Sequence, residues 1–149
     1  MSTVVDAWQA ALAAEQRATF GYGLLGPHVS RTDQALAIAC SDAHEQLRNR
    51  LVGALTAAKQ TPVAAAADYP DLYPVTSADT ARQLAARLED DCAAAWRYLY
   101  LQAASSTGPR ATALRASAQA GLNASAVRAT KWRLLTAPDT ASTPFPGIV

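Results

Sequence analysis

Proline sets the tightest limit on how this chain can fold. Pro27, Pro62, Pro70, Pro74, Pro109 and Pro138 lie between four long stretches that contain no proline. A proline inside a helix removes a backbone hydrogen bond and clashes with the turn before it, at a cost of about 3 kcal/mol. Each uninterrupted stretch can therefore form one long helix. Composition agrees, because 50% of residues are hydrophobic and much of that share is alanine. Alanine is the best helix former, and its small side chain lets helices pack closely.

The spacing predicts a first helix over about 4–26, with Trp8, Ala11, Leu12, Ala18, Tyr22 and Leu25 on its apolar stripe. Gly21, Gly23 and Gly26 near its end read as close helix contacts and a C-cap. A second helix is predicted over about 33–60, capped by Ser30 or Thr32 with Asp33 in its first turn. Leu36, Cys40, Ala43, Leu47, Leu51, Leu55 and Ala58 form its stripe. A third, over about 77–105, opens on a Thr76–Asp79 capping box and carries Leu84, Ala85, Leu88, Cys92, Ala95, Trp96 and Leu99. The fourth, over about 109–135, starts with Pro109 at the first helical position and carries Leu114, Ala118, Leu122, Ser125, Ala129, Trp132 and Leu135. In the tail, 136–149, Pro144 and Pro146 forbid another helical turn, so Phe145 and Ile148 are expected to dock onto the helices. Trp8, Trp96, Trp132, Tyr22 and Tyr98 read as core or interface anchors.

The segment "TPVAAAADYPDLYPVT", residues 61–76, has three prolines and no helical period. Sixteen extended residues reach about 50 Å, and a helix of 26 residues is about 40 Å long. The segment can therefore cross the full length of a bundle. Short links at both ends and one long crossover give two antiparallel hairpins with the second and third helices parallel; the alternative is a packed loop that returns to its starting end.

Glu15 sits within the apolar stripe of the first helix, where a carboxylate must be neutralised, paired or bound to a metal. Glu15, His44 and Glu89 each lie about eleven residues into their helices, which brings them to one level of the bundle. These three can ligate a single iron or manganese. They fall short of the six residues of a di-iron centre, which takes a Glu from each of two helices and Glu-x-x-His from the other two. Ser41 stands where the second helix would need its Glu. From Cys92 to Pro138 there is no Asp, Glu or His, and Gln119 and Asn123 are the nearest polar stand-ins.

A reading without metal uses the same residues. Glu15 can pair with an arginine of the cationic fourth helix, where Arg128 lies beside the stripe. His44 can hydrogen-bond Glu15 or Glu89. Of Glu89, Asp90 and Asp91 at least one must face water. Glu45 is expected to pair with Arg48 or Asn49, and His28 to be exposed. Cys40 and Cys92 lie about 10 Å apart in height, too far for a disulfide.

The charge profile, 17% charged with a net charge of +1, is not that of a disordered chain or a general nucleic-acid binder. The basic face of the fourth helix comes with no nucleic-acid motif. No apolar run is long enough to span a bilayer, and the start, Met1 to Asp6, lacks the pattern of a signal peptide. A cytoplasmic location is expected. No nucleophile elbow, P-loop or dinucleotide fingerprint is present.

The segments "AALAAEQRATFGYGLLG" (10–26), "AHEQLRNRL" (43–51), "LYPVTSADTARQLAARLEDDCAAAWRYL" (72–99), "AVRATKWR" (126–133) and "FPGIV" (145–149) resemble a bacterial ferritin-like domain family of unknown function. The resemblance implies a ferritin-like four-helix fold, homo-oligomers of the dimer type, and no established activity. The expectation is thus an all-α, ferritin-like four-helix bundle filling one domain, 1–149. It lacks a complete di-iron site and acts as a dimeric binding or structural module for a protein partner or small apolar ligand. The alternative is an oxidoreductase-like protein with a reduced single-metal site at Glu15, His44 and Glu89.

Overall fold

The computed structural model of the chain describes residues 3–148. Met1, Ser2 and Val149, which bear on the readings of the N-terminal stretch and of the tail, lie outside the described residues. Four helices carry the fold: α1 (Thr3–Leu25), α2 (Gln34–Ala57), α3 (Ala78–Ala104) and α4 (Pro109–Leu134). Single turns of tighter helix occur at Gly26–His28, Pro70–Leu72 and Pro138–Thr140, and the described residues contain no strand.

Side-chain contacts fix the directions of the helices. Glu15 meets Trp96 while Tyr22 meets Glu89, so α1 and α3 run antiparallel. Arg82 near the start of α3 donates to Asp33 at the start of α2 at 2.7 Å, so α2 and α3 run parallel. The connection between them lies along α1. Gln9 donates to the Thr61 carbonyl and accepts from the Val63 amide, both at 2.8 Å. Gln16 donates to the Val63 carbonyl, Tyr69 packs on Phe20, and Arg17 reaches Asp71. The proline-rich segment therefore traverses the bundle, and the architecture is that of a ferritin-like bundle.

The helices pack α1 on α2, α1 on α3, and α3 on α4. On the fourth side, α2 and α4 approach closely almost nowhere. All six stripe residues predicted for α1 are buried, from Trp8 to Leu25. Close packing rests on small residues. A Cβ on Gly121 would lie 2.4 Å from the Trp96 ring, so only glycine lets α4 sit against that indole. Gly21 does the same for Leu88, whereas Gly23 and Gly26 approach nothing closely, and Gly26 enters the tighter turn rather than a left-handed cap.

The helix ends differ in detail from expectation. The capping box of α3 is Ser77 with Thr80, one residue beyond Thr76–Asp79, because Thr80 offers a hydroxyl that reaches back to the Ser77 amide. Neither Ser30 nor Thr32 caps α2. Asp33 occupies the cap position, and its carboxylate is drawn to Arg82 instead. In the tail, Ala141 is buried, while Phe145 and Ile148 are 71% and 58% exposed, against expectation. The Gly147 backbone takes the place against α3: its φ is 80°, and a Cβ there would lie 2.7 Å from the Ala93 carbonyl oxygen. Tyr98 faces outward rather than into the core.

Candidate functional site

Glu15, His44 and Glu89 are each fully buried, and three different helices bring them together at mid-bundle. His44 stands between the two carboxylates. Its Nδ1 is 2.6 Å from Glu15 Oε2 and its Nε2 is 2.8 Å from Glu89 Oε1. A neutral imidazole carries one N–H and can donate to one carboxylate only, whereas the doubly protonated ring donates to both. Burial alone would lower the His44 pKa, but the hydrogen bonds and charges of Glu15 and Glu89 outweigh it and raise it to about 9. His44 is an imidazolium at neutral pH.

The remaining acceptor positions are also filled. Trp96 Nε1 donates to Glu15 Oε1 at 2.7 Å. Tyr22 donates to Glu89 Oε1 at 2.7 Å and accepts from Trp132 Nε1 at 2.8 Å. Arg128 Nε donates to Glu89 Oε2 at 2.9 Å, and another of its nitrogens donates to Ser125 Oγ at 3.3 Å. With both carboxylates ionised, Glu15 and Glu89 contribute two negative charges, and His44 and Arg128 two positive ones, so the quartet is neutral. Among the described residues no buried side-chain nitrogen or oxygen lacks a partner. A buried charge is tolerable on those terms only.

Glu15 does not pair with an arginine, as one reading of the sequence proposed. Arg128 bonds Glu89 because α4 packs beside α3, while α1 lies across the diagonal. His44 bonds both candidate partners rather than one. Asp90 and Asp91 pair with Arg133 and Arg17 at the half-exposed surface, leaving Glu89 as the buried member of the run. Glu45 pairs with Arg48, and His28 is exposed. Gln119 and Asn123 are exposed and contribute nothing to the site; the α4 residues facing it are Ser125 and Arg128. The hydrogen-bonding roles of Tyr22, Trp96 and Trp132 were missed, although spacing could have found them. Tyr22 lies seven residues after Glu15, Trp96 seven after Glu89, and Trp132 four after Arg128, each on the same helix face.

Ferritin-like bundles commonly place two metal ions at this level. The donor set here does not fit two. Where the template takes a carboxylate and a histidine, α4 supplies a guanidinium and a hydroxyl, and a cation bonded to Glu89 opposes a second dication. One ion is geometrically within reach. Glu15, His44 and Cys92 each offer a ligand atom, all within 4.8 Å of one another. Cys92, expected from its spacing only as a member of the α3 apolar stripe, lies one turn beyond Glu89. This incomplete triad could coordinate an ion only after His44 and Cys92 each lost a proton. Both hold theirs firmly: burial pushes the Cys92 thiol well up, and the charges of Glu15 and Glu89 add to that. Among the described residues, the most pronounced surface hollows are lined by neither Glu15, His44 nor Glu89.

No helix among the described residues is long and apolar enough to cross a membrane. The sequence profile of a domain of unknown function (DUF4439) matches residues 7–149. A conserved hypothetical protein, rv2844, from Mycobacterium tuberculosis has a similar crystal structure, with a TM-score of 0.80 and 30% sequence identity over 90% of this chain and 97% of the other. Comparison with curated proteins gives no match.

Proposed function

The chain belongs to the DUF4439 family, and from that premise we propose that it is a ferritin-like relative in which an ion-pair quartet stands in for a metal centre. On this reading it is a non-enzymatic binding or structural module that works as a homodimer. One observation carries the reading: both ring nitrogens of His44 are engaged by carboxylates, while Arg128 neutralises Glu89. The imidazolium and the guanidinium supply the two positive charges that a metal would otherwise bring. The experiment is a metal assay with a proton assay beside it. Protein produced in medium rich in iron and manganese should carry far less than one metal per chain. Nitrogen NMR of His44 at neutral pH should show both ring nitrogens protonated. Stoichiometric metal together with a singly protonated His44 would overturn the proposal.

The second reading is a single iron or manganese held by Glu15, His44 and Glu89, supporting oxidoreductase-like chemistry. The ligand atoms of Glu15 and His44, which lie with that of Cys92 within 4.8 Å of one another, support the Glu15–His44 part of this set; Glu89 is not among that group. Under it, metal content approaches one per chain and falls when Glu15→Ala and His44→Ala are introduced. Unchanged content in that pair of variants excludes it.

A further inference from the structure

The quartet leaves one feature of the fold unused. Between α2 and α4 the bundle is open, and two hollows lie along that side. One, of about 380 Å³, has Trp8, Leu47, Leu51, Trp96, Leu99 and Leu114 as its apolar lining. The other, of about 420 Å³, is walled by Leu36, Cys40 and Val127. They meet at Ala124, which lines both. Laid end to end, the two hollows make a furrow from Leu36 to Ala54 on α2, about 27 Å at 1.5 Å per residue. Small α4 residues, Ser117, Ala120 and Ala124, line it and leave it open. Each hollow falls within the size range of small-molecule sites, and the lining is mainly apolar, as in such sites.

Charge narrows the class of ligand. No Asp or Glu lines either hollow, whereas Arg50, Lys131 and Arg128 do. Arg128 is committed to Glu89. Arg50 and Lys131 are exposed and make no hydrogen bond or ion pair among the described residues. Arg50 borders the hollow floored by the two tryptophans, and a guanidinium binds a carboxylate through two parallel hydrogen bonds. A long apolar trough whose only uncommitted charges are positive fits an apolar chain with an anionic end. A cationic or neutral chain gains nothing from Arg50.

We propose that the α2–α4 furrow binds a single-chain anionic amphiphile of the long-chain carboxylate type, with its head at Arg50 and its chain running past Leu47 and Ala124. This goes beyond the reading of the quartet and does not depend on it: the furrow meets the quartet at Arg128, which is committed to Glu89, and the head-group contact is made by Arg50 instead.

The test uses the full chain and three probes of equal length: hexadecanoate, hexadecanol and hexadecylamine, each below its aggregation limit. Native mass spectrometry counts bound chains. Quenching by a brominated hexadecanoate locates them, since Trp8 and Trp96 line the furrow and the fully buried Trp132 does not. Hexadecanoate should bind at one chain per protein and at least about tenfold more tightly than hexadecylamine. Arg50→Glu, at an exposed and unpartnered position, should remove that preference and leave the fold intact. Ala124→Phe should block all three probes. Equal binding of anionic and cationic chains, or undiminished binding by Ala124→Phe, overturns the proposal. So does co-sedimentation with phosphatidylglycerol vesicles without uptake of free hexadecanoate, which would make the face a membrane contact. A dimer that excludes hexadecanoate and dissociates in Ala124→Phe would also overturn it, showing that a second copy covers the furrow. Failure of the metal and NMR assays would leave this result untouched, so the two proposals can fail separately.

Discussion

Charge balance in the buried quartet can be tested by removing one cation. Arg128→Met keeps most of the side-chain volume and deletes the positive charge. Glu89 is fully buried and the Arg128 side chain is 12% exposed, so solvent screens their attraction little. At 2.9 Å and an effective dielectric constant of about 20, that attraction is about 6 kcal/mol. Arg128 returns to water in the unfolded chain, so the net loss is smaller, about 3–5 kcal/mol, as is usual when one partner of a buried pair is removed. That is a large fraction of the 5–15 kcal/mol that holds a typical domain together. Glu89→Gln alone should also destabilise, because Arg128 and His44 then keep an uncompensated charge. The Arg128→Met/Glu89→Gln double variant restores neutrality with His44 and Glu15, and should recover about 2 kcal/mol or more relative to the sum of the single losses. Urea unfolding followed by circular dichroism measures all four proteins, with equal slopes required for comparison. Additive losses, or a cost under about 1 kcal/mol for Arg128→Met, would show that the pair is not coupled as its geometry requires.

Two further predictions follow from the same core. His44 has a folded pKa of about 9 against an ordinary value of 6.5, so the folded state holds the extra proton between those values. Its contribution, about 3 kcal/mol, is fully present below pH 6.5 and lost as pH rises through 9; urea midpoints across that window should fall for the native protein and stay much flatter for His44→Gln. Gly121→Ala would set a methyl 2.4 Å from the Trp96 ring, and Trp96 is tied to Glu15 by a 2.7 Å hydrogen bond. A loss of about 1–3 kcal/mol with a shifted tryptophan emission is expected, and an unchanged urea midpoint would contradict the packing.

Reading the chain from sequence works best where one residue type has one physical consequence. Proline cannot sit inside a helix, so the four rods and the extended segment between them were legible directly. The apolar stripe of α1 was legible from its spacing alone. The length of the proline-rich segment, set against that of a helix, predicted a crossover, and Arg82 beside Asp33 shows it. Caps were less legible, because Thr76, Ser77, Asp79 and Thr80 offer competing boxes whose geometries differ by one residue. The tail failed for a related reason: burial of Phe145 and Ile148 is favourable only if the backbone permits it, and the close approach of Gly147 to α3 turned both outward.

The site divides along the same line. Which carboxylates and which imidazole reach the middle of the bundle is a matter of position along a helix, and Glu15, His44 and Glu89 could be chosen from sequence. Which of them meets which cation is a matter of helix order around the bundle. Only the packed structure sets α4 beside α3, gives Arg128 to Glu89 rather than to Glu15, and leaves His44 to hold a proton between two carboxylates. The open side between α2 and α4 was beyond the sequence for the same reason: periodicity along one helix records which face is apolar, and the distance to the neighbouring helix depends on every side chain packed between them.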